Sequence, residues 1–268
     1  MFEGYILDTE AFPNDTMNRL NSDQELRPFW RKFFHFNEKL GFVLLIAICV
    51  PRFWLVLEAN ETGNYGSIGA IMIVSALVPL VFLSSYGRRK IGIKPPSSYR
   101  WLFYSFGLGM LISLCLFGLG YFLYGTTVSN WYVYIGRSYS VADAIDGTDR
   151  LIYFLIFAIT GMTFSPIGEE LFFRGLVHAA FETSVGSQKA SVLDGLAFAT
   201  THLAHFGIVH VSGMWNFLPV PAALWVLGML VTSLIFTQCK QRTDSITGAI
   251  VSHAGFNFAM IYFIFYRL

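Results

Sequence analysis

Three ionisable side chains stand close together in the run PIGEELFFRG at residues 166–175, inside a largely apolar stretch from 151 to 180. A charge at membrane depth costs about 2.5–3.5 kcal/mol on insertion scales, so it is seldom kept without a use. Glu170 and Arg174 are four residues apart, share a helix face and can form an ion pair that makes their burial tolerable. Glu169 lies about 100° around the helix from Glu170, so it is expected to lack Arg174 as a partner. A desolvated carboxylate without a cation suits a general base.

Two later apolar segments each contain a histidine. His202 follows Phe198 by four residues, and His253 and Asn257 are four apart and so face the same way. Gly255 between them offers a slim surface that another helix can approach. A carboxylate, a histidine and a His/Asn pair are the parts that water activation requires. We therefore expect three helices to converge on one polar site that does chemistry. The alternative is a purely structural role, in which the charged residues form salt bridges and the histidines are hydrogen-bonded within the core.

The composition indicates a polytopic helical membrane protein. Of 268 residues, 54% are hydrophobic and 13% are charged, whereas about 25% are charged in an ordinary soluble domain. The net charge of +1, without a basic stripe, argues against nucleic acid as a partner. The three cysteines are far apart and predict neither a disulfide framework nor a metal site.

The apolar runs predict an all-α fold of about seven to eight transmembrane helices, with a polar catalytic site between helices. Pro51 and Arg52 interrupt the first run, which we expect to be kinked or partly interfacial. The fourth run is too long for a core of about 30 Å, so it must tilt, protrude, or break near Gly161 or Pro166. Residues 125–150 read as a polar loop. The seven runs cover about 40–57, 67–86, 101–124, 151–180, 190–209, 220–237 and 246–266.

These runs divide the chain into an arm and a membrane domain. Residues 1–39 predict a cytosolic or interfacial amino-terminal arm, because residues 27–40 alternate basic and aromatic side chains as segments at a membrane surface do. Residues 40–268 predict the transmembrane helical domain, with a catalytic core at about 150–260.

The distribution of basic residues predicts an orientation. The basic connections are 87–100 and 239–244, and alternate crossing puts both on one side of the membrane. The intervening loops, 58–66 and 210–218, contain no lysine or arginine. By the positive-inside rule, the amino terminus and the basic loops are predicted to be cytoplasmic in a multi-pass integral membrane protein.

The three motifs together resemble those of the CAAX-protease and bacteriocin-processing (CPBP, also called Abi) family of intramembrane proteases. Glu-Glu-x-x-x-Arg at 169–174, Phe-x-x-x-His at 198–202 and His-x-x-x-Asn at 253–257 occur in the family's order. The resemblance covers about residues 150–260. It implies an intramembrane endopeptidase that cleaves a membrane-associated peptide or lipidated protein, such as a prenylated CAAX tail, at the lipid bilayer.

The resemblance also implies a role for each catalytic position. Glu169, assisted by His202, would activate a water for attack on the peptide carbonyl. His253 and Asn257 would donate hydrogen bonds to the oxyanion of the tetrahedral intermediate. The other two charged residues of the first motif would hold the helix and tune the first glutamate.

The cofactor is left open between two alternatives. Glu169, His202 and His253 form a ligand set that zinc accepts, with a fourth position for water. A metal-free mechanism that depends on the glutamate needs no cofactor, and Asn257 suits an oxyanion better than zinc.

Two other classes of function fit the same buried groups. A membrane carrier could use buried Glu and His side chains as a proton relay, although no inverted repeat of the transporter kind is visible. A bacteriocin-immunity or scaffold protein could use the cluster for binding without proteolysis.

Overall fold

The computed structural model describes residues 24–138 and 147–268, so residues 1–23 of the predicted arm and 139–146 of the predicted polar loop lie outside the described residues. The described chain forms these elements in order: α1 (Glu38–Thr62), α2 (Gly66–Phe82), α3 (Ser85–Lys90), α4 (Arg100–Tyr124), α5 (Trp131–Ser138), α6 (Gly147–Glu170), a π-helical segment (Leu171–Val177), α7 (His178–Val185), α8 (Ser187–Thr201), β1 (Ile208–Val211), β2 (Met214–Phe217), α9 (Pro219–Thr243) and α10 (Ile246–Tyr266). Two short 3₁₀ turns, Trp30–Lys32 and His202–Ala204, complete the set.

The predicted all-α membrane architecture is confirmed. Within the described part of the chain, five helices are long and apolar enough to cross a membrane. The apolar helix α2 is shorter, at 17 residues, and α8 has 15. The predicted total of seven to eight spans is therefore not confirmed by this count, whereas the predicted bounds of α10, 246–266, agree with the structure.

The fourth predicted span continues through both places where a break was considered. α6, the π-helical segment and α7 form one run, Asp149–Val185, of 37 residues. Pro166 lies inside α6 without ending it. At about 1.5 Å per residue this run exceeds a bilayer core of about 30 Å, so it tilts or protrudes. The π-helical segment begins directly after Glu169 and Glu170, and such wider turns are frequent at functional sites.

The first predicted span is also uninterrupted, while its predicted kink or interfacial position stays a prediction. α1 continues through Pro51, and Arg52 is buried, with 3% of its surface exposed. A buried cation in the middle of an apolar helix needs a partner from elsewhere in the fold.

Two segments differ from the predicted secondary structure. The fifth helix was predicted to reach residue 209, but α8 ends at Thr201 and a two-stranded antiparallel hairpin follows. Ser212 and Gly213 both have positive φ, as the tight turn of a hairpin requires. In addition, α5 forms inside the segment predicted to be a polar loop, and its Trp131 and Tyr132 are fully buried.

Glycines bring α4 and α10 into close contact. A methyl group added at Gly255 would collide with the carbonyl of Phe106, and one at Gly109 would collide with the carbonyl of Ser252. The slim surface predicted at Gly255 is therefore used by another helix, since small residues let backbones approach closely. This contact fixes the rotation of α10, which positions His253.

The two basic connections lie at the same end of the molecule. Lys94 Nζ lies 2.7 Å from Asp244 Oδ2, which joins the segment after α3 to the turn between α9 and α10. At the other end, Asn60 Nδ2 donates to the carbonyl of Ala204 at 2.7 Å. This arrangement agrees with the predicted alternate crossing; the cytoplasmic orientation of the basic end stays a prediction.

Candidate active site

One cavity of about 410 Å³ lies between the helices, and all four predicted catalytic side chains line it. Glu169 comes from α6, His202 from the turn after α8, and His253 and Asn257 from α10. The rest of the wall is largely apolar, with Met72, Phe164, Trp225, Met229, Phe256 and Ile261 among its residues. Three segments far apart in the chain therefore bring their polar groups to one place.

The carboxylate of Glu169 has two oxygens in different surroundings. Oε1 accepts a hydrogen bond from Arg52 Nη2 at 2.8 Å and another from the hydroxyl of Ser165. The expectation that Glu169 lacks a cation was therefore wrong, because α1 supplies Arg52. Oε2 has no hydrogen-bond partner in the described chain and lies 3.8 Å from His202 Nε2.

His202 presents its second ring nitrogen to this free oxygen. Its Nδ1 lies 2.7 Å from the carbonyl oxygen of Phe198. Because a carbonyl only accepts, Nδ1 carries the hydrogen, and Nε2 of the neutral ring is an acceptor. A separation of 3.8 Å from Glu169 Oε2 is too long for a direct hydrogen bond. A water that donates one hydrogen to each group fits this gap.

The second glutamate of the first motif holds His253. His253 Nδ1 lies 2.7 Å from Glu170 Oε1, and Arg174 Nε lies 3.2 Å from Glu170 Oε2. The predicted Glu170–Arg174 ion pair is therefore present, and it extends to a histidine on another helix. A carboxylate at Nδ1 orients the imidazole, and Nε2 is the ring nitrogen left for the cavity.

Asn257 joins α10 to α6 at the wall of the cavity. Its Nδ2 donates a hydrogen bond to the carbonyl oxygen of Gly161 at 2.8 Å. A side-chain amide nitrogen has two hydrogens, so one N–H remains for a ligand in the cavity.

Behind these residues, Arg174 joins a chain of buried charges whose other members, Asp194, His178 and Lys240, lie outside the three motifs. Asp194 Oδ2 lies 2.8 Å from His178 Nδ1, and its Oδ1 lies 4.0 Å from Arg174 Nε. The guanidinium of Arg174 is stacked over the ring of Phe198 at 4.0 Å. Lys240 Nζ donates to the carbonyl of Arg174 at 2.6 Å. Arg174 is thus held by two acids and an aromatic ring, and it fixes the helix that carries Glu169.

The sequence held a signal for the two missed charged residues. Arg52 interrupts an apolar helical run that is long enough to cross a membrane, and an ionisable residue at membrane depth is by default a sign of a functional site. Asp194 lies in α8, which has several polar residues, so its signal is weaker. In the sequence, however, neither follows a motif spacing that would connect it to the first motif.

The surroundings of the predicted zinc ligands bear on the choice between the two cofactor alternatives. Among residues 24–138 and 147–268, no group of three or more His, Cys, Asp or Glu side chains is placed to hold a metal ion. His253 Nδ1 is bound to Glu170, and Glu169 has the guanidinium of Arg52 beside it. A fixed cation 2.8 Å from the only acidic ligand opposes the binding of a second cation.

The chain matches a model of a known protein family. Residues 151–259 match the family model described as type II CAAX prenyl endopeptidase Rce1-like. The matched segment begins in α6, ends in α10 and contains all three motifs, so the resemblance drawn from the motifs is confirmed. The comparisons with curated proteins and with solved structures found no match.

Proposed function

We propose a mechanism and a substrate class for this chain; the Rce1-like match at 151–259 supports an intramembrane protease of the CAAX type. The proposed reaction is hydrolysis of a peptide bond in a membrane-associated substrate by an activated water. The observation that carries it is the pair of acceptors, Glu169 Oε2 and His202 Nε2, that face each other across 3.8 Å at the cavity.

Glu169 is proposed as the general base. A water held between Glu169 and His202 has its remaining lone pairs free to attack the scissile carbonyl carbon. As the new C–O bond forms, Glu169 takes a proton, which then passes to the leaving amine when the C–N bond breaks. Arg52 and Ser165 hold Oε1, so Oε2 is the oxygen available for this work. Such proton transfer contributes about 10²–10⁴-fold to the rate.

His253 and Asn257 are proposed as the oxyanion donors. The proposed role of His253 needs a hydrogen on both ring nitrogens: Nδ1–H donates to Glu170, and Nε2–H donates to the oxyanion. Asn257 offers the N–H that Gly161 does not use. The negative oxygen of the tetrahedral intermediate would lie between them. One such donor is worth about 2.7–4 kcal/mol of transition-state stabilisation.

The walls of the cavity support an apolar or lipidated substrate. A volume of about 410 Å³ falls within the range of about 300–1,000 Å³ that is common for ligand pockets. Apolar and aromatic side chains dominate the wall, and the cavity lies between helices that can cross a membrane. We therefore propose a membrane-associated peptide, with a prenylated CAAX tail as its lipidated form.

Cleavage of a quenched fluorescent peptide by protein purified in detergent tests this function. His202→Ala, His253→Ala and Asn257→Ala are each expected to lower kcat by about 10²–10³-fold, because each removes one group that acts on the transition state. Arg242→Ala, an exposed residue at the far end of α9, is the control and should cleave at the wild-type rate. Full activity in any of the three cavity variants would contradict the role of that residue.

The same protein reconstituted in vesicles separates the protease from a carrier. If the wild-type protein takes up a solute into the vesicles and cleaves no membrane-associated peptide, the carrier is favoured. Cleavage without uptake supports the protease.

A chelator tests the metal-free form of the mechanism. Because Arg52 already neutralises Glu169 and no three-ligand group is present in the described chain, prolonged treatment with a zinc chelator is expected to change kcat by less than twofold. Loss of activity that added zinc restores would instead require a metal in the reaction.

A further inference from the structure

Arg52 is a cavity residue that lies outside the Rce1-like segment. It comes from α1, whereas the family match covers residues 151–259. The side chain is 4% exposed and lines the same cavity as Glu169. Its place in the site is therefore a property of this chain's first span.

The guanidinium has more donors than Glu169 uses. Nη2 donates to Glu169 Oε1 at 2.8 Å, while Nε and Nη1 have no hydrogen-bond partner in the described chain. A guanidinium has five N–H groups, and leaving charged donors unsatisfied in a buried site is costly. A counter-ion for Glu169 alone would not need these extra donors.

The cavity wall offers hydrogen-bond donors to an anionic guest. Glu169 is the one acidic side chain among the described residues that line the cavity, and Arg52, which also lines it, donates to Glu169 through Nη2 alone. Ser165 donates to the same Oε1 as Arg52 does. Glu169 therefore keeps the hydrogen bond from Ser165 when Arg52 turns some of its N–H groups toward a second anion.

We infer that Arg52 binds a carboxylate of the peptide substrate, an inference that rests on the proposed proteolytic function. Arginine pairs with carboxylates through charge-assisted hydrogen bonds in defined geometry. The carboxylate can come from the free end of the peptide or from an acidic side chain near the scissile bond, since both have the same chemistry. On binding, it draws Arg52 away from Glu169 and leaves the general base less neutralised.

Matched peptides test this inference and distinguish the two sources. One peptide has a free terminal carboxylate and one acidic side chain beyond the scissile bond; a second has a terminal amide; a third has the acidic side chain replaced by its amide. Wild-type protein is expected to cleave one of the two amide peptides with kcat/KM about 10- to 100-fold lower, the difference that hydrogen bonds to a charged group make. The peptide that loses activity identifies the source.

The variants assign that preference to Arg52. In Arg52→Gln the ratio between acid and amide peptides is expected to fall to about one, even though all peptides are cleaved more slowly. Arg52→Lys, which keeps the charge, should retain part of the ratio, and the control Arg242→Gln should retain all of it. Equal cleavage of all three peptides by wild-type protein, or an unchanged ratio in Arg52→Gln, would overturn the inference.

Binding measurements keep the test independent of catalysis. In an inactive His202→Ala background, the acid peptide is expected to bind more tightly than its amide form, and adding Arg52→Gln should remove the difference. If wild-type protein cleaves no peptide, the proposed function fails, while this comparison still decides the role of Arg52. Equal binding of acid and amide forms in the His202→Ala background would also overturn the inference.

Discussion

Replacement of Glu169 by glutamine is expected to lower kcat for peptide cleavage by about 10²–10⁴-fold while the fold is retained. Glutamine has nearly the same volume, and its carbonyl oxygen can still accept from Arg52 and Ser165, which hold Oε1 in the wild-type protein. The amide cannot accept a proton from the attacking water. Loss of the rate without loss of the fold is therefore specific to the general base.

Initial rates with the quenched peptide, beside a thermal unfolding curve for each variant, measure this prediction. Glu182→Gln is the matched control, because Glu182 is an exposed glutamate on α7, in the same long helical run. It should show the wild-type rate. A Glu169→Gln variant that cleaves within tenfold of wild type would remove Glu169 from the mechanism.

The second large effect is expected on stability, at Arg174. Arg174→Ala should lower the free energy of unfolding by about 3–5 kcal/mol, because it leaves buried acids without their cation. Glu170 lies 3.2 Å and Asp194 lies 4.0 Å from Arg174 Nε, and all three side chains have no exposed surface. Glu170→Gln should impair both folding and activity, since it weakens the hold on Arg174 and on His253.

A double-mutant cycle measured by unfolding in detergent separates the ion pair from general packing. The Glu170→Ala/Arg174→Ala variant is expected to be more stable than Arg174→Ala alone, because it removes one of the two buried acids that lose Arg174 as their cation. Asp194 keeps His178 as a partner at 2.8 Å in this variant. A double variant no better folded than either single variant would defeat the prediction.

Local spacing in the sequence was enough to predict which functional side chains of one helix lie together. The Glu170–Arg174 pair is present in the structure, and His253 and Asn257 line the same cavity. Both follow from the helical repeat, which places residues four apart on one face. The apolar composition likewise determined the helical membrane architecture, because backbone polar groups in lipid must be satisfied within each span.

Short segments outside the long apolar runs were harder to predict. The end of α8 was missed because the few apolar residues of β1 fit a helix as well as a strand. Ser212 and Gly213 both have positive φ in the hairpin turn. Glycine usually signals such a turn in a sequence, and only the second of these two residues is a glycine.

The convergence of the three motifs on one site was predicted, but the tertiary structure alone decided which charged groups pair across helices. Arg52 pairs with Glu169 over 117 positions of sequence, and His253 pairs with Glu170 over 83. Such contacts depend on how each helix is rotated and how far it is shifted along its neighbours, and the close approach of α4 and α10 at Gly109 and Gly255 sets part of that geometry. A repeat of 3.6 residues specifies which side chains share a face, but not which face of another helix they will meet.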